Sequence, residues 1–371
     1  MIHFEVRDEV QDVVEVVKEF ATNEIAPHFR EWEEKEGLPQ EFCQKFGELG
    51  LSALEAPTSL GGAQFSLEDT FYVLEAFARY GDIGVAYSLP GPGFLADFLL
   101  TLGNEEQQKG FFQIFLDNPL KRGTVMIRED SPDFTWDGIQ CIARKSEKVF
   151  ILNGKKTFVP LGKESDFFLI IAKEEESGEL AAFIVDKDRE GLSFSDSHHL
   201  LGLNTMKVYD CEIQNLEVPF ENKLEKQGLE NIQKAYMRMK IKNSAFIVGA
   251  MQASCDTAFR YANERVTFGK TLWQHQGMAF FMAEMAATLN QTRNQLIQLA
   301  TNFENLKPSE IAEGLLNLEH CAVEIGTHGV QVLGGAGYVR DYPVEKWMRD
   351  LRTATLLFEL DPYYEAQILT D

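Results

Sequence analysis

The sequence predicts an α+β fold in three parts: a helical domain over residues 1–122, a middle β-barrel over 123–222 and a four-helix bundle over 223–371. Changes of texture along the chain predict it. Apolar residues recur at helical spacing to about Leu120, short alternating or β-branched runs replace them from about Gly123 to Asn222, and long helical stretches return after Pro219. The chain has 371 residues, 44% of them hydrophobic. That exceeds the roughly 250–300 residues at which a single core stops growing, so more than one core is expected.

In the first part Val13, Val14, Val17, Phe20 and Ile25 follow helical spacing. Pro39, Pro57, Gly61, Gly62, Pro90 and Pro92 mark its breaks, because proline lacks the N–H that a helix interior needs and glycine loses most entropy there. In the second part Val149–Leu152, Phe167–Ile171, Ala181–Val185 and Lys207–Tyr209 read as strands, and Asn153-Gly154 is a turn-forming pair. In the third, helical period holds over about 239–265, 275–304 and 308–332, with the polar segment Thr267–Gln274 interrupting it. With the final segment, these stretches are long enough to pack as a four-helix bundle.

The formal charge of -23 repels phosphate backbones and anionic lipid, and no basic run interrupts it. Nucleic acid and bare membrane are therefore disfavoured, and small molecules or proteins are the expected partners. Cys43, Cys141, Cys211, Cys255 and Cys321 are odd in number, far apart and free of CxxC spacing, which predicts reduced thiols rather than disulfides or a zinc site. His198 and His199 fall in a polar loop, and His275, His320 and His328 on helices, without spaced partners, so no metal is expected. The first ten residues lack the order of a signal peptide and no apolar run approaches the roughly 18 residues of a membrane span, so a cytoplasmic location is expected.

Three stretches are more specific. Glu264-Arg-Val-Thr-Phe-Gly-Lys270 is followed by Gln276, and Gln331-Val-Leu-Gly-Gly-Ala-Gly-Tyr338 by Tyr342-Pro-Val-Glu-Lys346 and Arg349-Asp350. Leu152-Asn-Gly-Lys155 precedes Gly162 and Asp166, with Leu201-Gly202 and Val218-Pro219 beyond. Arg265 offers a fixed positive fork suited to a pyrophosphate, and Gly334, Gly335 and Gly337 let backbone N–H groups approach it closely. Phe268 adds an aromatic face to the first stretch.

Together these stretches resemble the ERxxFGK, QxxGGxGY–YPVEK–RD and lnGxK segments of the flavin-dependent acyl-CoA dehydrogenase family, and the resemblance spans essentially the whole chain. It implies FAD as cofactor, acyl-CoA or an acyl-carrier thioester as substrate, oxidation to the α,β-unsaturated thioester, and electron-transfer flavoprotein or a similar acceptor. It implies a dimer or tetramer in which Arg265, Phe268, Gln331 and Gly335 reach the flavin of the neighbouring subunit, with Gln276 and Gly334 in the same cofactor-binding set.

Elsewhere the family pattern is broken. The catalytic glutamate stands nine positions after the arginine of the RD pair; here that position is Phe358, whose ring takes no proton. Glu359 adjoins it and is the candidate base, although the family's EGT triplet is lost in Phe358-Glu-Leu360. Relatives with the base on the first bundle helix, twenty-six positions before the arginine of ERxxFG, align it with Met239. The arginine that follows reads Lys240, a compact ammonium either at the site or solvated with Arg238 and Lys242. Beside the flavin ring, Arg128-Glu129 replaces a threonine-glutamate pair, and Phe158 and Pro160 replace a tryptophan and a threonine. Arg128 is left to offer a backbone N–H and Phe158 to cover the ring, or both to pack the barrel.

The residues that reach across to a neighbour are thus kept, while those for the chain's own ring and substrate are changed. That is the pattern expected of a subunit completing the site of a homologous partner. A self-sufficient dehydrogenase using Glu359 is the simpler alternative. A flavin monooxygenase on the same fold and a non-enzymatic assembly subunit are the others.

Overall fold

The computed structural model describes residues 6–131, 134–358, 364, 365 and 368. Its first helices are α1 (Asp8–Phe20), α2 (Phe29–Lys35), α3 (Gln40–Glu48), α4 (Leu67–Tyr80), α5 (Ile83–Tyr87), α6 (Leu95–Leu102) and α7 (Glu105–Asp117). α1 buries Val10 and Val17 and runs on through a wider turn that buries Ala21 and Ile25. α4 opens on a reciprocal cap: Ser66 Oγ accepts from the Asp69 N–H at 3.1 Å, and the Ser66 N–H donates to the Asp69 carboxylate at 2.9 Å. α5 is only five residues long and is started by Asp82, whose Oδ1 accepts from the Val85 N–H at 3.1 Å.

The strands are β1 (Gly123–Met126), β2 (Ile142–Lys145), β3 (Val149–Pro160), β4 (Phe167–Glu174), β5 (Leu180–Asp186), β6 (Leu192–Phe194) and β7 (Val208–Pro219). They pair in the order β1-β4-β2-β3-β7-β6, with β5 also on β4. These seven strands make up the middle β domain that the sequence predicts, and among the described residues no ladder joins β5 to β6. Phe168 and Ile170 of β4 join one core with Phe150, Phe183 and Cys211, whereas Leu169 and Ile171 join the core shared with the helices. A strand covered on both faces needs apolar residues at every position, which is why 167–171 reads as a continuous run.

The chain then forms α8 (Leu229–Glu264), a small hairpin of β8 (Val266–Thr267) and β9 (Lys270–Thr271), α9 (Gln276–Asn302), α10 (Pro308–Leu333) and α11 (Val344–Phe358). α8 lies centrally, against α4, α6, α9, α10 and α11. Gly249 sets its approach to α4, since a Cβ there would stand 2.3 Å from the Glu75 carbonyl oxygen. The helix starts at Leu229 rather than near 239. The polar segment Thr267–Gln274 is the hairpin strand pair and the short turn that leads into α9.

A buried lysine ties the parts together. Lys346 of α11 donates to Asp82 at 2.6 Å and to Asp350 at 2.5 Å, and Asp350 accepts from the Leu203 N–H at 2.7 Å. No described helix is long and apolar enough to cross a membrane.

Candidate active site

α11 ends on Phe358, whose ring is 7% exposed. It lies face to face with Tyr87 of α5, with centroids 4.6 Å apart, and edge-on to Phe94 at 5.8 Å. Tyr87 in turn packs on Phe246 of α8 at 4.9 Å and donates its hydroxyl to Asn243 at 2.5 Å. The position that resembles the family's base is therefore inside an aromatic cluster. Glu359, the alternative base, lies outside the described residues, as does Leu360.

Two spaces meet at Phe358. On one side is a cavity of about 130 Å³ walled by Phe46, Phe77, Tyr87, Phe94 and Phe246, with Glu55, Thr70 and Lys242 among its few polar residues. On the other is a recess of about 50 Å³ lined by Arg128, Thr157, Phe158, Tyr236, Met239 and Lys240 among others.

The fold brings Arg128 and Phe158 together in that recess. The Arg128 guanidinium lies over the Phe158 ring at 5.2 Å, and His198 also stacks on Phe158 at 4.9 Å. Phe158 is held in the left-handed region at φ 52, with its N–H donating to Asp210 Oδ1 at 3.2 Å. The same oxygen lies 2.9 Å from His198 Nε2. Burial pulls the Arg128 pKa down, as desolvation of a cation must. Glu129 is taken up structurally, accepting from Lys156 at 2.7 Å and from the Gln140 and Cys141 N–H groups at 2.6 and 3.0 Å.

Sequence reasoning missed Thr157, which stands next to Phe158 and brings a hydroxyl-bearing residue to the recess. It also offered a solvated face as the alternative for Arg238, Lys240 and Lys242, and the structure overturns that alternative. Lys240 is buried with its ammonium 4.9 Å from the Tyr236 ring. Arg238 pairs with Glu55 at 2.5 Å, Lys242 pairs with Glu55, and both cations lie 3.3 Å from Asp97. The partners come from distant parts of the chain, so no local spacing announces them.

The remaining predicted cofactor residues face outward. Arg265, Phe268, Gln276, Gln331, Gly334 and Gly335 are all exposed, Phe268 to 98%. Tyr338 beside them is 82% exposed. Gly334 has φ +57, and a Cβ at either Gly334 or Gly335 would meet nothing within 4 Å of this chain. Packing within the chain therefore does not demand glycine at 335. The turn at Gly334–Tyr338 precedes α11 and Phe358 ends it. The 15 residues of α11, which run from just after that turn to Phe358, rise roughly 22 Å along the helix axis.

The outward set has the chemistry for a pyrophosphate and an adenosine. Arg128 and Phe158 narrow the recess at the ring position to roughly 50 Å³.

Comparison with known proteins agrees with the fold throughout. The chain matches the acyl-CoA dehydrogenase N-terminal domain over residues 7–117, the middle domain over 134–216 and the C-terminal domain over 226–358. It is 29% identical over 350 residues to the caffeyl-CoA reductase-Etf complex subunit CarC of Acetobacterium woodii, covering 92% of each chain. It is 28% identical over 357 residues to a short-chain specific acyl-CoA dehydrogenase of Clostridium acetobutylicum, covering 94% of each. Butyryl-CoA dehydrogenase of Megasphaera elsdenii superposes with a TM-score of 0.91 at 25% identity, over 100% of this chain and 99% of that one. That family uses FAD. The chain belongs to the acyl-CoA dehydrogenase family and is an acyl-CoA dehydrogenase-like flavoprotein.

Proposed function

We propose that this chain is the supporting subunit of a heteromeric acyl-CoA dehydrogenase, lending Arg265, Phe268, Gln276, Gln331, Gly334 and Gly335 to the flavin of a homologous subunit that carries the catalytic glutamate. One observation carries the reading: the ring recess and the base position are packed by Arg128, Phe158 and Phe358, while the outward set stands exposed. An exposed arginine and bare glycine backbone have no packing role within the chain, but they suit a pyrophosphate presented by a neighbour. Oxidation of an acyl-CoA thioester would then occur in the partner. Electron-transfer flavoprotein is the acceptor proposed, in keeping with a relative that is the subunit of an Etf complex.

The test compares the chain purified alone with the chain co-expressed with a glutamate-bearing homologue. The expected result is little bound flavin and no thioester oxidation for the lone chain, with both present in the complex. Arg265→Met in this chain should release flavin from the complex by about tenfold in affinity, the worth of a charge-assisted contact. A lone chain that is yellow and is bleached by an acyl-CoA would overturn the proposal and favour a self-sufficient enzyme with Glu359 as base.

A further inference from the structure

A separate cleft of about 270 Å³ lies between α1, α4, α8 and α9, and shares no lining residue with the two spaces at Phe358. Tyr72, Arg79, Tyr80, Gln252 and Arg293 are among the residues that line it. Gln252 of α8 is 8% exposed, and its buried Oε1 has no hydrogen-bond partner among the described residues. A buried amide oxygen without a partner opposes folding, and methionine would fill the same place on the helix without that cost.

The charges and the walls of the cleft define what the amide would meet. Arg293 gives Nε and Nη2 to Glu75 at 2.5 and 2.8 Å, and Arg79 gives the same two groups to Asp256 at 2.9 and 3.3 Å. Glu15 accepts from Lys18 at 2.9 Å. Each charged group lining the cleft thus has an opposite partner already, so desolvation favours an uncharged group at Gln252. The Arg293 guanidinium lies 5.7 Å from the Tyr72 ring, and that of Arg79 lies 5.3 Å from the Tyr80 ring. Phenol rings and guanidinium planes are surfaces on which heteroaromatic bases stack. A glutamine amide presents a donor and an acceptor side by side whichever way it is turned, which matches a ring nitrogen next to an exocyclic amino group. The volume is about nine times the ~30 Å³ share of one water in the liquid, room for two fused rings.

We propose that this cleft binds an adenine-type base, a neutral purine with an exocyclic amino group, with Gln252 as its pairing amide and Tyr80 as a stacking face. The base would arrive on a nucleoside or on a nucleotide. This inference stands whether or not the chain supports a partner's flavin.

The test measures affinities of the purified protein for adenosine, for purine riboside, which lacks the amino group, and for AMP. Adenosine should bind about tenfold more tightly than purine riboside, the worth of one buried hydrogen bond. Gln252→Met should erase that preference and leave the melting temperature of the unliganded protein level or higher. Tyr80→Ala, at the half-buried rim, should weaken both nucleosides by about tenfold through lost stacking. Arg265→Met, on the exposed cofactor face, should leave adenosine binding unchanged. AMP distinguishes the sources: tighter binding than adenosine assigns the cleft to a nucleotide, and equal or weaker binding to a nucleoside. No binding of adenosine, equal affinity for the two nucleosides, or a preference that survives Gln252→Met would overturn the proposal. So would indifference to Tyr80→Ala, or loss of binding in Arg265→Met, which would place adenosine on the cofactor face. A Gln252→Met protein markedly less stable without ligand would mean that the amide already has a partner, and would also overturn it.

Discussion

Phe358 and Tyr87 lie nearly parallel, 4.6 Å between centroids and 22° between planes, at the position that the resemblance assigns to the family's base. The pair joins the end of α11 to α5, and Phe94 and Phe246 extend it, so the ring contributes to the core. Phe358→Ala should cost about 3–5 kcal/mol of stability through the cavity it leaves, measured by denaturant unfolding. Phe358→Glu should also destabilise, because a carboxylate would be desolvated among the three remaining rings. It should not confer thioester oxidation on the lone chain, since Arg128 and Phe158 still occupy the recess. Turnover by that variant would count against the supporting role.

Gly335 and Gly337 of the turn separate folding from recognition. A Cβ on Gly335 meets nothing in the chain, whereas one on Gly337 would stand 2.5 Å from the Val330 carbonyl oxygen. Gly335→Ala should leave the melting temperature within a degree or two and weaken flavin retention in the complex. Gly337→Ala should lower stability by about 1–3 kcal/mol through overpacking. The reverse assignment of effects would mean that Gly335 serves only the turn.

The order helices, strands, longer helices was legible because each carries its own period, and α9 and α10 lie close to the stretches that repeat every 3.6 residues. The start of α8 was not: Glu230, Asn231, Gln233, Lys234 and Arg238 dilute its apolar signal, and Arg238 is held by Glu55, far away in sequence. The motifs around Arg265 and Gly335 were legible because they are contiguous. Thr70, Thr157 and the Glu55–Lys242 pair were not, because only tertiary packing brings Thr70, Glu55 and Lys242 to one cavity and Thr157 to the recess beside it. Which way a lysine among Arg238, Lys240 and Lys242 faces depends on partners that no local pattern encodes.

Lys346 exemplifies such a partnership. Its ammonium is wholly buried, and Asp350 and Asp82 hold it charged above the ordinary lysine range against the pull of desolvation. Lys346→Met would leave two buried carboxylates without their cation and detach α11 from α5. The expected loss is about 3–5 kcal/mol, as for breaking a buried ion pair from one side, read by thermal or denaturant unfolding. A loss below about 1 kcal/mol would mean that Asp82 and Asp350 protonate or rehydrate freely.

Asp97 gives a pH signature with a definite sign. It is fully buried, and desolvation pushes its carboxyl up to about 6; Lys242 and Arg238 oppose the rise and Glu55 adds to it. An unfolded aspartate titrates near 3.9, so between about pH 4 and 6 the folded protein keeps a proton that the unfolded chain has released. Stability from this group therefore falls as pH rises through that window and levels off above it. Asp97→Asn removes the titration while keeping the shape. The wild type's lead over the variant in melting temperature should accordingly shrink from pH 4.5 to about 6.5 and then hold constant. A lead that widens with pH would mean that Lys242 and Arg238 outweigh burial and hold the Asp97 carboxyl below its usual range.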